Sequence, residues 1–141
     1  MLRQRRSALL PALLLAAVTA SAAQSGSPPA PRPLVAGATV VTLWPPGSPR
    51  LKATGEPEAF TMTAGQPGRV QKVVNIHNPS IEFHPAERSM NTGAAVILAP
   101  GGGHNALVIG SEAADFVPYF YQYGINTVIL RYRLRRDGYS A

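Results

Sequence analysis

The residues best suited to chemistry lie in one short stretch, Leu98-Ala99-Pro100-Gly101-Gly102-Gly103-His104-Asn105-Ala106-Leu107. Three successive glycines after an apolar run leave backbone N–H groups bare and admit positive φ. Such a loop suits negative charge, either a permanent phosphate or the transient oxyanion of acyl transfer. A tight strand-to-helix turn that binds nothing has the same composition. Gly101, Gly103 and Ala106 also satisfy the loose dinucleotide pattern G-x-G-x-x-G/A, with Arg131 or Arg133 available for a 2′-phosphate. Against that reading, a triple glycine meets the pattern easily. Roughly 60 residues of irregular or antiparallel chain precede the loop, whereas the fingerprint ordinarily opens the first βα turn.

Other reactive side chains form no recognisable constellation. No G-x-S-x-G occurs, and Ser111 reads as a helix N-cap followed by two solvated acids, Glu112 and Asp115. His77, His84 and His104 lack the i,i+4 spacing of a helical metal site and read as surface or loop histidines. The cluster Arg131, Arg133, Arg135, Arg136 reads as a solvated loop, with the rim of a site or a contact for an acidic surface as the alternatives. Trp44, Tyr119, Tyr121 and Tyr123 read as packing residues rather than a sugar platform. With no cysteine there is no disulfide framework, thiolate chemistry or cysteine-bound metal. Neither a metal nor a cofactor is expected.

The elements around the glycine loop follow from periodicity. Ala38 to Leu43 predicts a first strand. Arg69 to Ile76 alternates as a half-buried strand, and Ser80 to His84 predicts a short partner strand after the Asn78-Pro79 turn. Ala94 to Leu98 is continuously apolar, as in a strand covered on both faces. Ser111 to Tyr123 has helical spacing, but Pro118 should kink or split it at a cost of about 3 kcal/mol. Gly124 stops it, and Asn126 to Arg131 predicts a second buried strand. Strand, glycine loop, helix and strand make one right-handed βαβ unit after an antiparallel lead-in, an α/β fold.

At the front, Arg3, Arg5 and Arg6 precede the apolar run Ala8 to Ala20 and the small residues Ala20 to Ala23. Residues 1–23 therefore read as a signal peptide, and the mature protein as exported to the periplasm or beyond the cell. The run is too short for a membrane anchor, which needs about 20 residues. Arg5-Arg6 alone does not distinguish the general from the twin-arginine export route. Residues 24–33 read as a mobile Pro/Ser-rich linker, and 34–141 as the folded part. The net charge of +6 drops to +3 without the three leader arginines, leaving 10 basic and 7 acidic side chains. That balance, with no basic and aromatic stripe, argues against a nucleic-acid partner.

A more specific signal is combinatorial. Pro100-Gly101-Gly102-Gly103-His104, Leu107, Glu112, Gly124-Ile125 and Tyr132-Arg133-Leu134 together resemble the α/β-hydrolase superfamily, in particular its secreted esterases of the acetylxylan and feruloyl kind. Leu43-Trp44-Pro45-Pro46-Gly47 and Asn91 to Val96 are similar to the same group. The resemblance spans roughly Val40 to Ser140 and implies that the domain is the N-terminal, incomplete portion of such a sheet. It implies an oxyanion hole of Gly102 and Gly103 with His104 adjoining, resting on glycines because Pro100 has no N–H to donate. It further implies a serine nucleophile, an acid and a histidine, in that order, expected C-terminal to Ala141. The chain by itself should then have no turnover, and its parent would cleave carboxylic esters, with acylated polysaccharide as a candidate substrate. A non-catalytic secreted binding domain is the rival from another class.

Overall fold

The computed structural model describes residues 27–35, 37–52 and 56–139. The expected signal peptide, 1–23, and the start of the expected linker lie outside them. From Ser27 to Pro33 the described chain has no regular secondary structure, and it is tied to the body of the protein. Ser27 Oγ accepts a hydrogen bond from Gly47 N at 2.6 Å, and the Arg32 guanidinium sits 4.7 Å from the centre of the Phe60 ring.

Six strands follow: β1 (Thr39–Thr42), β2 (Ala59–Met62), β3 (Val70–Val74), β4 (Ser80–His84), β5 (Ala95–Leu98) and β6 (Asn126–Arg131). Between β5 and β6 lie two short helices, α1 (Ile109–Glu112) and α2 (Val117–Tyr121), joined by a single 3₁₀ turn. The result is mixed α/β. A four-stranded sheet has the order β1-β4-β6-β5, and a separate two-stranded ribbon pairs β2 with β3. Only the β5–β6 pair is parallel; β1–β4 and β4–β6 are antiparallel.

Two expectations about these elements change, the partner of β4 and the cap of the helix. β4 is not the partner of β3 across the Asn78-Pro79 turn; it crosses into the larger sheet between β1 and β6, while β3 takes β2. The expected split of the helix is present: Ala113 leaves helical geometry at φ −146° and ψ −68°, and Pro118 lies in the first turn of the second piece, where its missing N–H costs nothing. Ser111 lies inside α1 and caps nothing; Val108 is the N-cap, without a side-chain bond. The expected stop at Gly124 holds, at φ +69°, with a Cβ there falling 2.0 Å from Met90 O.

Register sorts the sheet's side chains into two faces. Ser80, Glu82, Ile129 and Arg131 share one face and are fully buried. The core forms on that side from Leu34, Val70, Val73, Ile76, Leu107, Ile109, Ala113, Ile129 and Leu134. On the other face Ile81, Phe83, Val128 and Leu130 are only half-buried, and Val41 and Ile97 are 48% and 67% exposed. β5, expected to be covered on both faces, is instead an edge strand with no residue in the buried class. β6 is central and buried as expected.

Candidate functional site

The glycine loop leaves β5 at its C-terminal end, beside the C-terminal end of its parallel neighbour β6. In open sheets with parallel strands, that is the edge where ligands bind. Several elements hold the loop in place. Buried Pro100 accepts a hydrogen bond from Tyr132 Oη at 2.6 Å, just after β6. Gly101 N donates to Glu112 Oε2 at 2.5 Å, and Val108 N donates to Gly101 O at 2.9 Å. At the loop's exit Leu107 and Val73 exchange both backbone hydrogen bonds, at 2.9 and 3.0 Å, which ties it to the β2–β3 ribbon. Proline loop, Glu112 and Tyr132-Arg133-Leu134, far apart in sequence, thus meet around one turn.

Glu112 was expected to be a solvated acid; it is instead the acceptor that occupies the Gly101 amide. Asp115 pairs with Arg69. Beyond Gly101 the turn reverses tightly. Gly103 and His104 both have positive φ, +62° and +61°, and Asn105 N donates to Gly102 O at 3.2 Å across them. Positive φ at both central positions is the type I′ pattern. Gly102, at φ +140°, tolerates no side chain, because a Cβ there would lie 2.1 Å from Ala106 O. Among the described residues the amides of Gly102, Gly103 and His104 have no intramolecular acceptor. These are the three residues expected to line an oxyanion hole.

The histidines stay apart, but not all at the surface. His77 is buried, its Nδ1 3.1 Å from the Tyr139 hydroxyl. Burial raises the Tyr139 phenol above its ordinary pKa. His84 lies in β4, Nε2 3.2 Å from Glu82 Oε1, and His104 is exposed in the loop. Trp44 packs under the Arg133 guanidinium at 4.7 Å, consistent with a packing role. Tyr119, Tyr121 and Tyr123 do not pack inside; they are 52%, 43% and 57% exposed.

The arginine cluster divides. Arg131, expected in a solvated loop, is fully buried. Its Nη1 donates to Arg32 O at 2.6 Å and Glu58 Oε2 at 2.9 Å, and Nη2 is 3.8 Å from Glu82 Oε2. It is therefore unavailable for a 2′-phosphate. Glu82 also accepts Leu34 N at 2.6 Å and Val35 N at 3.2 Å, fastening the N-terminal segment over the sheet. Burial raises the Glu58 carboxyl to about pKa 7, outweighing the opposing pull of Arg131. Sequence reasoning missed this cluster. Its one signal was an alternation fault: Glu82 stands at an inward position of a strand whose other face is Ile81 and Phe83.

No family model, curated protein or solved structure matches the chain.

Proposed function

We propose that this chain is the N-terminal part of an exported serine hydrolase with an α/β-hydrolase-like sheet, cleaving carboxylic esters, with acylated polysaccharide as the substrate class. One observation carries the reading: a turn with three free successive amides follows a parallel strand whose outer edge is unpaired. In the superfamily this sequence resembles, the nucleophile's strand lies beside that same strand. A strand added to β5 would deliver a serine to the edge where Gly102 and Gly103 sit.

The chemistry then follows the general scheme. The serine Oγ attacks the ester carbonyl carbon while a histidine takes its proton, and the carbonyl oxygen becomes an oxyanion. The Gly102 and Gly103 amides donate to that oxygen, each such preorganised donor contributing about 3 kcal/mol to the transition state. The C–O bond to the alcohol breaks, the histidine returns the proton to the leaving oxygen, and water hydrolyses the acyl-serine by the same steps in reverse. On this reading the serine, acid and histidine lie beyond Ala141, and residues 1–141 alone do not turn over.

The test is to read the coding frame past codon 141 and treat the encoded protein with a serine-directed phosphonate. A G-x-S-x-G serine that takes the label supports the proposal. A labelled, active 141-residue chain, or an extended chain with no labelled serine, refutes it.

A further inference from the structure

Beside the oxyanion turn, and sharing Gly103 and His104 with it, is a cleft. Gly103, His104 and Asn105 form one wall and Arg135 and Arg136 the other, enclosing about 430 Å³. Parallel pairing of β5 and β6 puts both walls at one end of the sheet, since each wall belongs to the segment that leaves its strand. The walls are joined where Arg136 N donates to His104 O at 3.3 Å. Among the described residues no carboxylate lines the cleft. Arg136 Nε lies 3.4 Å from Asp137 Oδ1, whereas Arg135 has no ionic partner among the described residues. Two guanidiniums and an imidazole therefore border a space of the size that holds a small-molecule ligand, while the Asn105 amide already donates to Gly103 O at 3.1 Å and Arg136 Nη1 reaches Asn105 O at 3.5 Å.

From this arrangement we infer that the cleft is an acidic-sugar subsite, in which Arg135 and Arg136 bind the carboxylate of a uronic acid beside the acylated unit. The substrate assignment rests on the ester-hydrolase reading above. Guanidinium forks match a planar carboxylate through paired N–H donors, and the remaining volume suits a sugar ring rather than a bare ion. The wall formed by Gly103 and His104 is also the proposed oxyanion turn. A carboxylate held by the arginines would thus set the distance between the sugar and the scissile ester.

The experiment is a titration of the isotope-labelled 141-residue chain with glucuronate, followed by NMR, with glucose and inorganic phosphate as comparisons. Glucuronate should give saturable shifts at Gly103, His104, Asn105, Arg135 and Arg136, and glucose none. Affinity should fall about tenfold or more in R135Q/R136Q, and also with rising salt as the screening length contracts from about 10 Å at 0.1 M to about 3 Å at 1 M. Arg135→Gln alone, on an exposed side chain, should weaken binding without disturbing the fold, and Arg135→Lys should restore part of it. No saturable shift, equal shifts with glucose, unchanged binding in R135Q/R136Q, or tighter saturation by phosphate would each overturn the inference. Serine labelling is independent of these arginines. A labelled serine with no glucuronate binding removes the subsite alone; glucuronate binding with no labelled serine removes the hydrolase reading and leaves only a carboxylate-binding cleft.

Discussion

The two faces of the four-stranded sheet invert the usual distribution of polarity. One face hides Ser80, Glu82 and Arg131 completely, under the N-terminal segment, the β2–β3 ribbon and the core. The other holds Val41, Ile81, Phe83, Ile97, Val128 and Leu130, all apolar and none fully buried. On the first face Arg131 Nη1 binds Glu58 and a carbonyl, Nη2 lies 3.8 Å from Glu82, and Glu82 accepts from two backbone amides. The partnering is incomplete, since Arg131 Nε and Nη2 and Glu58 Oε1 are buried without a hydrogen-bond partner among the described residues. Buried ionic groups left in that state offset little of their desolvation. The second face has nothing of that sort, and its half-covered aliphatic side chains are the kind that a further layer buries. The charged face is the covered one, and the apolar face is the more exposed.

The comparison breaks most sharply at Arg131. Arg131→Met should remove the buried cation shared by Glu58 and Glu82, with only Arg32 left acting on Glu58, and cost about 3–5 kcal/mol, read as a lowered urea midpoint by circular dichroism. A loss under 1 kcal/mol would mean that the closed face does not depend on its ion pairs.

Glu58 gives the next effect, through pH. Its carboxyl titrates near 7 in the folded protein against an ordinary value of 4.5. Between those values the folded chain keeps a proton that the unfolded chain has lost. This group's contribution to stability is therefore highest below about pH 4.5, declines as pH rises to about 7, and is constant above. The span corresponds to about 3 kcal/mol. Glu58→Gln should flatten that slope in urea titrations taken at several pH values; an unchanged slope assigns it to another group.

At the glycine turn, Gly102→Ala brings a Cβ against Ala106 O at a φ that side chains rarely adopt. A cost of about 1–3 kcal/mol is expected, with amide shifts confined to the loop and its contacts. The smallest effect belongs to the open side. Ile97→Lys, on the exposed edge strand, should change stability by no more than about 0.5 kcal/mol. It should nonetheless reduce concentration-dependent association measured by light scattering, because a charge on an edge strand discourages strand-to-strand pairing. Association unaffected by Ile97→Lys would place the sticky surface elsewhere.

Much of the local structure was legible along the chain. Ser80–His84 and Asn126–Arg131 appear with their expected bounds, and β1, β3 and β5 lie within theirs, because apolar runs between turn residues constrain φ and ψ locally. The split that Pro118 signalled is likewise local, because a ring without an N–H fits only the first turn of a helix. The glycine turn, with positive φ at Gly102 and Gly103, was equally local. Pairing was not. That β4 joins β1 and β6 rather than β3, and that β5 ends at an edge, depends on which surfaces meet across tens of residues. Periodicity is silent on that choice. The same holds for Arg131 with Glu58 and Glu82, which lie 73 and 49 positions away. Charged residues spaced so widely read as solvated until the fold removes their water. The sequence alone determined where backbone amides would be left bare; only tertiary packing decided that Glu112 takes the Gly101 amide, that Arg131 turns inward, and that Arg135 and Arg136 face the turn. Backbone preference acts between neighbours, whereas desolvation and ion pairing act on whatever the fold brings together.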